Sequence, residues 1–289
     1  MPDLDAALDQ YRTQGFTVVP GLLGGTMLAD LRNATDALLE TARHTDVETD
    51  IVELEPGHTR EAPLVRRIKK PHAAHPAFWD LARSPKLMQL VTRLIGPDVR
   101  LSHSKINTKR GSGGGPIEWH QDWAFAPHTN MDFCIVAVMI DDCFAENGPL
   151  QVVPGSHEGP LYDHHDANGF FTGAIDVAAT HAPVHRAAPL VGPAGSVSIH
   201  HPMAIHGSAA NRSGAPRRML FLEYAAADAW PLFYAPEWDD YAARIVAGRG
   251  GSHVRTEPAP VKLPFPTRAP GSIFASQTQF KAAWFEPAT

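Results

Sequence analysis

An imidazole and a carboxylate stand one residue apart in Trp119-His120-Gln121-Asp122-Trp123. Far downstream comes a second histidine-led stretch, His206-Gly207-Ser208-Ala209-Ala210-Asn211, with Arg217 behind it. Side chains of a β-strand alternate from face to face, so His120 and Asp122 point to the same side of one strand. Both can then reach one ion. His206, from a distant strand, completes a set of two histidines and one carboxylate. Such a set caps one face of an octahedron and leaves three neighbouring positions open, which suits non-haem Fe(II). An isolated His-x-Asp pair means little in a chain with 16 histidines. The second segment gives it weight: the two lie the right distance apart for opposite ends of a β-barrel, and an Arg follows the second His by eleven residues.

Composition narrows the setting. The 289 residues are 44% hydrophobic and 19% charged, enough for a sizeable core. A formal charge of −6 argues against nucleic acid or an anionic membrane surface as the main partner. The first ten residues have neither the basic nor the apolar region of a secretory signal, and no apolar run approaches the ~20 residues needed to span a bilayer. Cys134 and Cys143 sit near an apolar strand and read as buried free thiols, which suits a reducing cytoplasm.

Along the chain, residues 3–14, 26–43 and 76–95 show helical spacing, with Gly96-Pro97 as a stop. Residues 15–20 read as a short strand ended by proline, and the polar stretch 44–62 as a loop. The basic run Arg66-Arg67-Ile68-Lys69-Lys70 reads as a solvated face, or as the border of an acidic ligand's site. From Val99 the pattern turns to strands. Leu101, His103, Lys105 and Asn107 share one face, odd for a dry core but sensible for a polar pocket. Gly111–Gly115 lacks the Lys-Ser/Thr of a phosphate loop and reads as a connection. Residues 132–140 form an apolar run buried on both faces. Residues 157–187 have no clear elements and are read as a lid over the metal, without a second metal site. His200 and His201 compete with His206 as third ligand; the turn at Pro202 favours His206. One helix is expected near 236–247. With no repeat and no linker, 1–289 reads as one domain: a mainly helical part (1–98), a core (99–225) and a C-terminal extension (226–289).

WHQD, then ENGPLQVVPGSH (146–157), then HGSAANRSGAPRR (206–218), occur in order, and the chain resembles the phytanoyl-CoA dioxygenase family of Fe(II)/2-oxoglutarate oxygenases, to which ectoine hydroxylase is related. The resemblance covers roughly residues 10–230. It implies a mainly β chain with flanking α-helices around a double-stranded β-helix (jelly-roll, cupin-like) core. It also implies Fe(II) held by His120, Asp122 and His206, with 2-oxoglutarate as cosubstrate and O2 as oxidant. The family offset from His206 assigns the distal carboxylate of 2-oxoglutarate to Arg217, whose fork can bond it twice as Lys cannot. Arg218 points to the opposite face. Ser208 is placed to add a hydroxyl, and Asn107, His103 and Gln121 fall at positions of family cosubstrate contacts. The family's usual course is decarboxylation of 2-oxoglutarate to succinate and CO2, coupled to hydroxylation of a substrate C–H; a carboxylate at Asp122, where halogenases carry a small residue, favours hydroxylation. One departure stands out. An aromatic that some relatives place against the cosubstrate is replaced here by the aliphatic run Ile135–Ile140.

Trp123, Phe125, Tyr162 and Trp230 are candidates for a substrate wall, with Asn130 and Phe170 beside them. The expected substrate is a free metabolite, acyl compound or natural product, turned over by a monomer or homodimer. The same chemistry can end in desaturation, cyclisation or epimerisation. A jelly-roll that only binds a metabolite is the non-enzymatic alternative.

Overall fold

A computed structural model describes residues 3–111, 113–268 and 271–287; Ser112, within the glycine-rich connection, lies outside them. The N-terminal part runs α1 (Leu4–Gln14), β1 (Phe16–Val19), α2 (Gly25–Glu40), β2 (Val52–Leu54), β3 (Val65–Lys69), α3 (Pro71–Ala74), α4 (Pro76–Ala82) and α5 (Pro85–Ile95). Next come β4 (Val99–Lys109), β5 (Ile117–His120), β6 (Phe133–Met139), β7 (Gln151–Val152), α6 (Val177–Thr180), β8 (Ala188–Pro189), β9 (Val197–His200), β10 (His206–Ser208) and β11 (Arg217–Ala226). The chain closes with α7 (Trp238–Ala243), β12 (Ile245–Ala247) and α8 (Ile273–Gln277).

The helices form where the apolar spacing asks for them. In α5, Leu87, Leu90, Val91 and Ile95 are buried on one face, Pro85 occupies the first turn and Gly96 ends the helix. In α1, Asp3 accepts from the Asp5 and Ala6 N–H groups, and Gly15 closes the helix in the left-handed region at φ 79°.

The larger sheet has the order β1-β9-β6-β11-β4-β3-β2, with β12 also against β4; the smaller is β5-β10-β7-β8. Both are antiparallel. The apolar run over 132–140 becomes β6, buried throughout. Its Cys134, Val136 and Val138 join the helices in one core. Its Phe133, Ile135, Ala137 and Met139 join Leu150, Val152 and Leu190 in a second core between the sheets. Two facing antiparallel sheets, with helices on the outer face of the larger, make a double-stranded β-helix.

Three local readings are corrected. The 44–62 stretch contains β2, and the basic run is β3, paired with β4 through Arg67↔Asn107, Ile68↔Ile106 and Lys69↔Lys105. Alternation sends Ile68 into the helix-side core and Arg67 to the opposite face. Leu101 does not share a face with His103. The pairing of β11 with β4 slips between Glu223↔His103 and Tyr224↔Leu101, so a bulge reverses the alternation and Leu101 joins Ile106 in the helix-side core. In the 157–187 segment, read as a lid, Phe171 packs on Phe125, whereas Ile175, Val177, Ala182 and Val184 pack instead with Trp119, Val153 and Ile205. They cover the side of β5 opposite His120.

Candidate metal centre

His120 ends β5 and His206 begins β10, and the two residues pair directly across the small sheet. Their ring centroids lie 4.0 Å apart. The strand ends at His120, and Asp122 opens a 3-10 turn. Gln121 keeps an extended backbone (φ −123°, ψ 126°), so alternation persists one residue past the strand and Asp122 returns to the side of His120. Asp122 lies 3.7 Å from His120 Nε2 and 3.5 Å from His206 Nε2. One donor atom from each of the three residues falls within 4.8 Å of the other two.

The outer contacts orient the set. His120 Nδ1 lies 2.8 Å from the Glu118 carbonyl and His206 Nδ1 lies 3.0 Å from the Ala204 carbonyl. A carbonyl can only accept, so each Nδ1 carries the proton and each Nε2 turns a lone pair inward. His200 Nε2 approaches Asp122 Oδ2 at 3.1 Å and donates to it. Burial holds His120 well below the ordinary histidine range and brings His206 down to about 4. Burial alone would raise the Asp122 carboxyl, but His206, His200, Lys105 and His120 outweigh it and hold it well below its usual value. Two neutral imidazoles and an ionised carboxylate that converge without a proton to share fit a divalent cation.

Beside this centre a narrow cavity is lined by Asn107, Ser208, Arg217, Leu150, Met219 and Phe221, among others. Arg217 is buried; its Nη2 donates to the Gly148 carbonyl at 2.9 Å, and its Nε has no partner. Asn107 Oδ1 is likewise buried and unpartnered. Lys109 Nζ donates to Ser208 Oγ at 2.6 Å and to the Ser208 and Ala209 carbonyls. Gly148 sits at φ 70°, and a Cβ there would fall 2.5 Å from the Ala209 oxygen. The orphaned polar atoms of Asn107 and Arg217 and the buried Arg217 charge, in one cavity with the donor set, fit an elongated dicarboxylate. Phe221 of β11 supplies the aromatic wall that the aliphatic β6 does not.

A second cavity, of about 620 Å³, adjoins Asp122 and Lys105 and is bounded by Arg67, His103, Phe125, Glu223, Tyr234 and neighbours up to Ile273. Phe125 sets its ring edge-on to His120 at 5.9 Å. His103 lines this cavity rather than the narrow one.

The other candidates lie elsewhere. Gln121 spends its amide on the Pro160 and Met203 carbonyls and on the Tyr162 N–H, which ties β5 to the following segment, and it does not line the narrow cavity. Trp123 is fully buried and donates to the Pro260 carbonyl. Tyr162 borders a separate cleft beside Pro154 and Pro160, and Trp230 stacks on Tyr241. Asn130 bonds Asp228 and the Arg255 carbonyl. Lys109 and Glu223 were not foreseen, whereas Arg67 belongs to the basic run read as a solvated face or the border of an acidic ligand's site, and His200 takes a hydrogen-bonding role in place of ligation. Lys109 had a signal: it continues the His103-Lys105-Asn107 alternation by one more step.

A family model described as "Phytanoyl-CoA dioxygenase (PhyH)" matches residues 11–219. A "Probable alpha-ketoglutarate-dependent hypophosphite dioxygenase" of Stutzerimonas stutzeri is 35% identical over 93% of this chain and 95% of its own. An "L-proline trans-4-hydroxylase" of Streptomyces griseoviridis is 30% identical over 77% of this chain and 86% of its own. A crystal structure of EctD from S. alaskensis with 2-oxoglutarate and 5-hydroxyectoine superposes with a TM-score of 0.66 at 25% identity, covering 88% of this chain and 86% of that one.

Proposed function

From a chain that belongs to the phytanoyl-CoA dioxygenase family, we propose that His120, Asp122 and His206 hold Fe(II), that Arg217, Ser208 and Asn107 hold 2-oxoglutarate with Lys109, and that a free small molecule is hydroxylated in the adjoining 620 Å³ cavity. The protein is an Fe(II)- and 2-oxoglutarate-dependent dioxygenase of the hydroxylase type. When bound, iron and 2-oxoglutarate would supply the activation of O2, one oxygen atom going to the substrate and the other to succinate as CO2 departs.

The chain's part is to place and to exclude. The two carbonyl-anchored imidazoles and the His200-anchored carboxylate would hold the metal through three converging donors. Arg217 and Ser208, whose hydroxyl Lys109 holds in place from behind, receive the distal carboxylate in the narrow cavity. Met219, Leu150 and Phe221 keep its shaft apolar. Lys105, paired with Glu223 at 3.0 Å, stands between the two cavities. Hypophosphite and L-proline, named for the two relatives, are both small molecules, which supports a free substrate rather than a protein. Buried free Cys134 and Cys143 support a reducing cytoplasm, and a monomer or homodimer is the form proposed. No helix among the described residues is long and apolar enough to cross a membrane.

The observation that carries this reading is the convergence of His120, Asp122 and His206 at the mouth of a cavity that ends on Arg217. Fe(II) and 2-oxoglutarate added without oxygen should give the weak visible absorption of a ferrous α-keto-acid chelate. His206→Ala should abolish both that band and iron retention. A variant that still binds iron would shift the third ligand to His200 or His201.

A further inference from the structure

Most charges around the larger cavity are paired, committed to a helix cap or open to solvent. Lys105 is matched by Glu223 at 3.0 Å and Arg244 by Asp240 at 2.7 Å. Glu237 caps α7 through the Asp239 and Asp240 N–H groups. His103 is neutral near pH 7, since burial draws it down to about 4. Lys70 is exposed and solvated.

Arg67 is different. It leaves β3 opposite Asn107 and so shares the inner face of the sheet. Its side chain is only 13% exposed. Its Nε has no hydrogen-bond partner, and its Nη2 reaches only His103 Nε2, at 3.4 Å. The nearest carboxylate, Glu53, is 3.9 Å from Nη1, beyond hydrogen-bond range. The close contacts of Glu53, with Arg66 at 2.9 Å and with the Ser272 hydroxyl at 2.5 Å, both fall on Oε1. Arg66 also reaches Glu48 at 3.5 Å, while Arg67 faces Glu53 Oε2 without a hydrogen bond to it, and of the two guanidinium groups only Arg67 borders the cavity. A secluded guanidinium without a hydrogen-bonded anion is costly, and its planar fork suits two parallel bonds to an oxyanion. Arg67 does not border the narrow cavity that ends on Arg217, so the anion it awaits is not the distal carboxylate of 2-oxoglutarate.

We propose that Arg67 anchors an oxyanion on the substrate, so that this cavity selects small molecules bearing a carboxylate or a phosphorus oxyanion. This deepens the dioxygenase reading above and rests on it.

The test uses the intact enzyme loaded anaerobically with Fe(II) and 2-oxoglutarate. Acetate, phosphite and inorganic phosphate serve as probes, with acetamide as the neutral control, and calorimetry and the visible band are followed together. At least one oxyanion should bind and perturb the band while acetamide does not; the tightest of the three identifies carboxylate or phosphorus chemistry. Arg67→Gln should weaken that binding roughly ten- to hundredfold, the loss of one to two charge-assisted contacts, with 2-oxoglutarate affinity unchanged. Arg67→Lys should fall between, and it covers the case in which Arg67→Gln unfolds. The proposal is overturned if no oxyanion binds, if Arg67→Gln binds it as tightly, or if the anion acts only by displacing 2-oxoglutarate and bleaching the band. Absence of the band in the unaltered enzyme would overturn the dioxygenase reading itself, a separate and recognisable failure.

Discussion

Arg217→Ala isolates the cosubstrate end of the site. One Arg217 N–H is committed to the Gly148 carbonyl at 2.9 Å, while Nε is buried without a partner and remains for a ligand. A charge-assisted hydrogen bond contributes about 1.5–3 kcal/mol, roughly ten- to hundredfold in affinity. Lys109 moderates the loss. Burial first, and then the Arg217 charge, push its ammonium well below the ordinary lysine value. Removing Arg217 lifts that repulsion and firms the Lys109 charge, which stays on Ser208 and acts through its hydroxyl on the same carboxylate. The expected weakening is therefore nearer tenfold than a hundredfold. Anaerobic titration of the visible band with 2-oxoglutarate measures it directly, with iron content followed in parallel. Lys109→Met and the double variant complete a cycle, and two cations sharing one carboxylate should be strongly non-additive. An unchanged 2-oxoglutarate affinity, or loss of iron in place of loss of cosubstrate, would refute the assignment.

Two further perturbations probe the scaffold. His103 and His128 are held neutral by burial, each brought down to about 4. The unfolded chain takes up these protons near 6.5 and the folded chain only near 4, so stability is present above about pH 6.5 and falls as pH drops toward 4, by about 1.4 kcal/mol per pH unit for each residue. Urea midpoints at pH 7 and pH 5 check this; equal midpoints would contradict it. Gly148→Ala would bring a Cβ to 2.5 Å from the Ala209 oxygen and force a side chain onto φ 70°. The cost should be about 1–3 kcal/mol in urea unfolding, with weaker 2-oxoglutarate binding and iron retained.

How far the chain could be read in advance depended on the range of the physics. His120 and Asp122 were legible because alternation is local and survives the extended Gln121 even though the strand has ended. The helices α1, α2, α4 and α5 were legible because each buries one apolar stripe. The Leu101 face was misread because a bulge is set by the partner strand, and β11 is far away in sequence. Trp123, Tyr162 and Trp230 were chosen as bulky residues near or after the motif. Burial or a different neighbour claims each of them. The cavity wall comes instead from Tyr234, Arg244, Ser272 and Ile273, in a C-terminal part with little periodicity to reveal it.

The division of labour within the larger sheet explains why the substrate side was the hardest to see. On β6 both faces are apolar, one against the helices and one between the sheets, so its inner residues only fill space. On β4 the inner face is His103, Lys105, Asn107 and Lys109, while Ile106 serves the outer core. The strand thus carries polar residues without exposing them to bulk water, and each needs a partner supplied from outside β4. Lys109 finds Ser208 on β10, Lys105 finds Glu223 on β11, and His103 meets Arg67 on β3. Read along β4, the sequence shows that a polar pocket exists. Its chemistry is decided by the strands beside it: β10 and β11 turn one end toward a dicarboxylate, and β3 leaves a guanidinium without a hydrogen-bonded anion at the other.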